Sequence, residues 1–181
     1  MGILSVIRKR RHIHRFKPNP IPASTIESLL EAARWAPSAG NLQPWEIVLI
    51  RSDSQKDKLV DASGGKQYIR SAPVILVFCA DLSQTAKRYG ERGTSLYVIQ
   101  DTAAAIQNVL LAAKDLGLGS GWVGAFDEHA VSGVLGLPSH VRPMAIILVG
   151  TPDEDPRPPP RREVEEFIHL ERFEQRGRLS H

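Results

Sequence analysis

The sequence predicts an α+β domain, on three observations. Short apolar runs bounded by Gly and Pro alternate with segments of helical periodicity. One of these runs, PVILVFCA from Pro73 to Ala80, is apolar throughout, the pattern of a strand covered on both faces. A long helical segment from Ser95 to Leu116 carries Ala103, Ala104, Ala105, Ala112 and Ala113, small residues that allow close packing and suit a central helix. A chain of 181 residues can bury most of its apolar surface in one domain, and 42% hydrophobic with 24% charged residues is an ordinary globular composition.

In chain order, Ser24-Thr25-Ile26-Glu27 reads as a capping box that opens a helix. Ile26, Leu29, Leu30 and Ala33 follow as its buried face. Pro37 stops that helix, because proline lacks the N–H and its ring clashes with the turn before it. Trp45 to Ile50 is a strand and Gln55 to Ala62 a short charged helix. After the Pro73–Ala80 strand, Asp81 to Thr94, with Arg88, Tyr89 and Arg92, is the one segment suited to a lid. The long helix ends at Gly117, Gly121 to Phe126 is a strand, Asp127 caps the next helix, and Pro143 to Gly150 is a last core strand. There is no internal repeat.

Residues 1–150 form the core on this reading, and residues 151–181 an arm of the same domain. Thr151 to Pro160 holds five prolines and is stiff, extended chain. Val164, Phe167, Ile168 and Phe173 follow it, and a second subunit is the natural place to bury them.

Composition excludes several classes. A net charge of +3 is too small to argue for nucleic acid, and no apolar run approaches the roughly 20 residues of a membrane span. The N-terminal apolar stretch precedes the basic one, the reverse of a secretory signal, and Val6 stands where a myristoylation site needs Ser or Thr. The single cysteine, Cys79, rules out an internal disulfide and sits in an apolar strand, where core burial is expected. A cytoplasmic location is the default.

The connector PSAGNLQPW, Pro37 to Trp45, is too polar for a simple joint. Ser38, Ala39 and Gly40 allow close approach to the backbone, Asn41 and Gln43 offer amides, and such loops hold ligands. Gly119 to Gly124 spells G-x-G-x-x-G, but it follows a helix and leads into a strand, the reverse of a dinucleotide-binding turn. No Cys or His spacing resembles a zinc site. His12 and His14 share a face only in extended chain, and His129, His140, His169 and His181 are scattered, which favours surface or structural roles for all six. The basic cluster Arg8 to Arg15 has three readings: a nucleic-acid tract, a solvated face, or an anchor for a small phosphate, with Arg161 and Arg162 closing on the same anion. No Ser-His-Asp or Cys-His set is apparent.

Four segments in order resemble the FMN-dependent nitroreductase family across nearly the whole chain. RRHIHRF (Arg10–Phe16) is similar to its phosphate-binding start, PSAGNLQPW to its PSxxNxQPW signature, QDTAAAIQNVLLAAKDLGLGSGWVGAF to its central helix and glycine-containing strand, and PPPRREVEEFIH to its C-terminal arginine segment. The resemblance implies a mixed sheet flanked by helices, in a homodimer with FMN at the interface and the C-terminal arm exchanged between subunits. It implies that Arg10, Arg11 and His12 hold the FMN phosphate together with Arg161 or Arg162, and that His14 reaches the polar edge of the flavin. Pro37, Ser38, Ala39 and Asn41 would contact FMN bound mainly to the other subunit. Gly124 and Ala125 would present backbone groups near N5, with Gln67 beside the ribityl chain or ring.

Three positions depart from the family. His12 replaces a serine and His14 an arginine or lysine, so FMN affinity can depend on pH, while Gly124 replaces an acidic residue of some members, which opens space or removes a charge above the flavin and bears on the substrate. The implied activity is hydride transfer from NADH or NADPH through flavin N5 to a nitroaromatic, quinone or similar acceptor by a ping-pong scheme, with no catalytic residue of the protein required. The alternatives are a specialised flavin-destroying, dehalogenating or peptide-oxidising enzyme of the same fold, or a flavin-binding protein without turnover.

Overall fold

The computed structural model describes residues 2–175, so Met1 and His181 lie outside the described residues. The helices are α1 (Ile3–Lys9), α2 (Ala23–Arg34), α3 (Asp53–Ala62), α4 (Tyr68–Ser71), α5 (Leu82–Arg92), α6 (Val98–Asp115) and α7 (Glu128–Leu135). The strands are β1 (Trp45–Ile50), β2 (Val74–Asp81), β3 (Gly119–Val123) and β4 (Val141–Gly150), in the order β1-β2-β4-β3.

The α+β class is borne out. All three strand pairings are antiparallel, and the parallel component is a bridge between His12 and Ser120 at the β3 edge. β2 is buried along nearly its whole length, as its unbroken apolar sequence predicts. Its side chains alternate between two cores. Val74, Leu76 and Phe78 pack with α2 and α6, through Ile26, Leu29, Ala105, Ile106 and Val109. Ile75, Val77 and Cys79 pack on the other face with Leu59, Ile69 and Val131 from α3, α4 and α7. Cys79 is fully buried, and burial pushes its thiol up to about 12.

Several boundaries differ from expectation: α3 starts at Asp53 rather than Gln55, β3 spans Gly119–Val123 rather than Gly121–Phe126, and the starts of α2 and the long helix also move. α2 begins at Ala23 with Pro22 at its N-cap position and no side-chain cap, so the capping box at Ser24 does not form. Pro22, at φ −58°, presets the helix entrance, and its carbonyl accepts from Thr25 and Ile26 at 3.1 and 3.2 Å. Ser24 therefore falls inside the first turn, where its carbonyl accepts from the Ser28 hydroxyl at 3.0 Å. The long helix proper starts at Val98 rather than Ser95, behind a π-turn, Gly93–Tyr97, that joins it to α5. Thr94 and Ser95 turn their hydroxyls back to the Glu91 carbonyl, at 3.1 and 2.8 Å. The continuous run Leu82–Asp115 is long and apolar enough to cross a membrane by length and composition, but α5 kinks at Gly90 and α6 fills the core between α2 and the sheet. α6 ends through Gly117 at φ 78°, and Asp127 caps α7, accepting from the Ala130 amide at 2.9 Å.

Candidate functional site

The site begins where α1 stops. Arg10, its C-cap, has extended backbone (φ −61°, ψ 134°), and the chain then runs along the edge of β3. The Ile13 amide donates to the Ser120 carbonyl at 3.0 Å and Ile13 is buried in the core. Strand alternation then places His12 and His14 together on the opposite side. Their ring centroids are 4.4 Å apart, and Tyr68 meets His14 edge-on, also at 4.4 Å. This close approach requires a glycine opposite: a Cβ on Gly121 would stand 2.7 Å from the Ile13 carbonyl oxygen.

His12 Nδ1 accepts from the Trp122 amide at 3.4 Å, while Nε2 is buried with no partner among the described residues. Burial, then His14 and Arg10, hold the His12 imidazole below its ordinary range, against a smaller opposing effect of Glu154. The start of the proline arm is fastened to the same segment. Lys17 donates to the Thr151 carbonyl and Asp153 to the Arg15 carbonyl, both at 2.9 Å. Glu154 Oε1 accepts from the His14 and Arg15 amides at 2.5 and 3.2 Å.

That docking returns the arm toward the basic N-terminal segment. Burial lowers the Arg10 guanidinium pKa, and the positive charges of Arg161 and Arg11 lower it further. Among the described residues no carboxylate pairs with Arg10 or Arg161. Arg11 donates to the Arg8 and Arg10 carbonyls at 2.7 and 2.9 Å. Arg162 turns away: it pairs with Glu166 at 3.3 Å and lies over the Phe167 ring. The structure thus gathers Arg10, Arg11, His12, His14 and Arg161, and leaves Arg162 outside the cluster.

Lys66, which the sequence reading passed over, joins the remaining pieces. Its Nζ donates to the Ser63 carbonyl at 2.5 Å and the Ala125 carbonyl at 2.9 Å. This ties the Gly124–Ala125 turn to the segment carrying Gln67 and Tyr68. Gln67, Gly124 and Ala125 are exposed beside it. Gly124 is open, since a Cβ there would meet only the Trp122 indole, at 3.6 Å.

The Pro37–Gln43 loop stands apart from this cluster within one chain. Its external partners are Asp101, whose Oδ1 accepts from the Ala39 amide at 2.9 Å, and Arg88, which donates to the Gly40 carbonyl at 3.3 Å. Gly40 has φ 56°, and the Arg88 guanidinium and Tyr89 hydroxyl occupy the space a side chain would need. Pro37 and Asn41 are exposed, Ser38 and Ala39 half-buried.

These residues fit a phosphorylated planar group. Crowded arginines suit a phosphate, and Glu154 and Asp155, which line the same pocket as Arg10 and Arg11, pair with neither of these two among the described residues. The orphaned His12 Nε2 can act only on a group brought to it, and the open turn at 124–125 leaves room for a flat ring. Lys66 and Glu154 border this cluster, and Asp101 holds the separate Pro37–Gln43 loop; all three were missed from sequence, and only the adjacency of Lys66 to Gln67 offered a signal.

The fold and this cluster define an α+β scaffold with a basic site able to take a phosphate-bearing planar group. The model of the nitroreductase family matches residues 7–68 and 61–151, and the chain belongs to that family. It is 34% identical over 187 residues to an NADH dehydrogenase of Thermus thermophilus, covering 88% of this chain and 91% of that one. It is 30% identical over 171 residues to the oxygen-insensitive NADPH nitroreductase of Salmonella typhimurium, covering 91% and 71%. Among solved structures, the NADPH:FMN oxidoreductase of Vibrio harveyi in complex with NAD+ superposes with a TM-score of 0.88 at 27% identity, covering 96% of this chain and 78% of that one.

Proposed function

We propose that this chain is an NAD(P)H-dependent FMN oxidoreductase, active as a homodimer and delivering hydride to a nitroaromatic, quinone or similar small acceptor. The observation that carries the reading is the grouping of Arg10, Arg11 and Arg161 near His12 and His14, with Tyr68 against His14 and the open Gly124–Ala125 turn tied to the Tyr68 segment through Lys66. The named activities of its relatives support the same reading.

When bound, FMN would supply hydride transfer at N5, taken from a nicotinamide and passed to an acceptor in two successive half-reactions. The chain's part is to bind and orient. Arg10, Arg11 and Arg161 hold the phosphate, and His12 Nε2 gains the partner it lacks. Lys66 fixes the Ala125 carbonyl and so the 124–125 backbone, and its charge would stabilise an anionic ring brought beside that turn. No side-chain acid, base or nucleophile is assigned. Arg162 is omitted from the phosphate set because Glu166 engages it.

Two observations support the dimer. The Pro37–Asn41 loop finds no partner in the His12 cluster of its own chain, as expected if it serves the flavin of the other subunit. The arm carries Val164, Phe167 and Phe173 at 51%, 54% and 80% exposure, apolar surface that a second copy would cover. A cytoplasmic location agrees with this reading.

The test is reconstitution. Flavin-stripped protein is titrated with FMN and sized by light scattering with and without it. One FMN per chain and a dimer are expected. A protein that binds no FMN refutes the function, and a monomer that retains FMN refutes the shared site.

A further inference from the structure

The loop that follows α2 is held in a conformation it would not adopt alone. Gly40, Asn41 and Gln43 have φ of 56°, 56° and 49°. The left-handed region is tolerated by glycine and asparagine but is unfavourable for Gln43. Inside the loop, Ser38 Oγ accepts from the Gln43 amide at 3.0 Å, and Gln43 Nε2 donates to the Asn41 backbone and side-chain oxygens at 3.2 Å. On its outer side the Arg88 contact is exposed. On its inner side stands Asp101, in the first turn of α6.

Asp101 is 6% exposed, yet no cation pairs with it among the described residues. Oδ1 accepts one hydrogen bond, from Ala39, and Oδ2 is buried without a partner. Burial holds the carboxyl above the usual range, and the Ala39 bond offsets only part of that. An unpaired carboxylate costs stability at a core position that Thr102 and Ala105 beside it fill without charge. Among the described residues, its side chain's single hydrogen-bonded contact is the amide that begins the 3-10 turn Ala39–Asn41.

We infer that Asp101 is a positioning residue: its Oδ1 anchors the Ala39 amide and thereby sets the Pro37–Asn41 loop in the geometry the flavin site uses. The inference rests on the proposed FMN reading. It makes Asp101 an acceptor first and a charge second, so asparagine, which keeps an oxygen at the same reach, should replace it and alanine should not.

Wild type, Asp101→Asn and Asp101→Ala are compared by hydrogen exchange of the Ala39 amide in flavin-free protein and by FMN titration. In Asp101→Ala the amide is expected to exchange at least about tenfold faster and FMN affinity to fall about tenfold, the scale of one hydrogen bond to a charged acceptor. Asp101→Asn should stay within about threefold of wild type in both. If the alanine variant does not fold, Asp101→Ser, whose hydroxyl is too short to reach Ala39, takes its place. A wild type that binds no flavin overturns the FMN reading and this inference with it. A wild type that binds flavin, beside an alanine variant unchanged in both readouts, overturns the role of Asp101 alone. Equal losses in the asparagine and alanine variants also overturn it, because charge rather than the acceptor would then be what matters.

Discussion

Replacing Gly121 with alanine should separate the N-terminal segment from β3. The added Cβ would lie 2.7 Å from the Ile13 carbonyl oxygen, a backbone atom that cannot rotate aside, and 3.4 Å from both His12 Nε2 and Leu148 Cδ1. Relief requires the two strands to part, which breaks the 3.0 Å bond from the Ile13 amide to Ser120 and loosens the 3.4 Å bond from Trp122 to His12. Overpacking costs about 1–3 kcal/mol. A lost hydrogen bond adds about 1 kcal/mol, for a total of roughly 2–4 kcal/mol. That is a large share of a typical domain stability of about 5–15 kcal/mol. The same shift carries Arg10 and His12 away from the 124–125 turn, so FMN affinity should fall at least about tenfold. Gly124→Ala is the control, since its Cβ meets only the Trp122 indole at ordinary contact distance, 3.6 Å. Its stability should stay within about 0.5 kcal/mol of wild type. The assay is urea unfolding of flavin-free protein at one fixed protein concentration, which removes ligand and subunit linkage from the comparison. A Gly121→Ala protein within about 0.5 kcal/mol of wild type would refute the docking of His12–Ile13 on β3 as the basis of the site.

Three further predictions follow from the site and the core. Arg10→Ala and Arg161→Ala should each weaken FMN binding by about 10–100-fold, the scale of hydrogen bonds to a charged group, with losses that shrink as salt rises; Arg162→Ala should change it less than about threefold, and calorimetric titration separates the two cases. His12 has its pKa lowered in the folded state, chiefly by burial, so the unfolded chain binds the extra proton. Its contribution to stability is therefore full above the unfolded value of about 6.5 and is lost as pH falls below it; urea unfolding between about pH 8 and pH 5 should show a shallower pH dependence for His12→Gln than for wild type. Cys79, fully buried with its thiol pushed up to about 12, should resist an aromatic disulfide reagent until the protein unfolds.

The elements that were legible in sequence are those whose signal is local. Trp45–Ile50 was read with its observed bounds, and β2 within one residue at each end, because an unbroken apolar run has one stable place, between two helical layers. The capping box failed because Pro22 presets a helix start one residue ahead of Ser24. The π-turn before α6 was invisible, since it depends on Gly93 closing against the Thr85 carbonyl of the preceding helix. Among the candidate site residues, the arginines and PSAGNLQPW were picked out by their motifs. Lys66, Glu154 and Asp101 were not, because each acts on a backbone group far away in sequence: Ala125, His14 and Ala39. That Arg161 lies near Arg10 while Arg162 pairs with Glu166 likewise needed the fold.

The central claim is that this chain moves electrons from a nicotinamide through FMN. Its most direct test is anaerobic mixing of FMN-loaded protein with NADH and, separately, NADPH, while the flavin's visible absorbance is followed. At least one donor is expected to bleach the band, and a quinone or nitroaromatic added afterwards to restore it without any further donor. A flavin that binds at the site yet stays oxidised with both donors would contradict the claim.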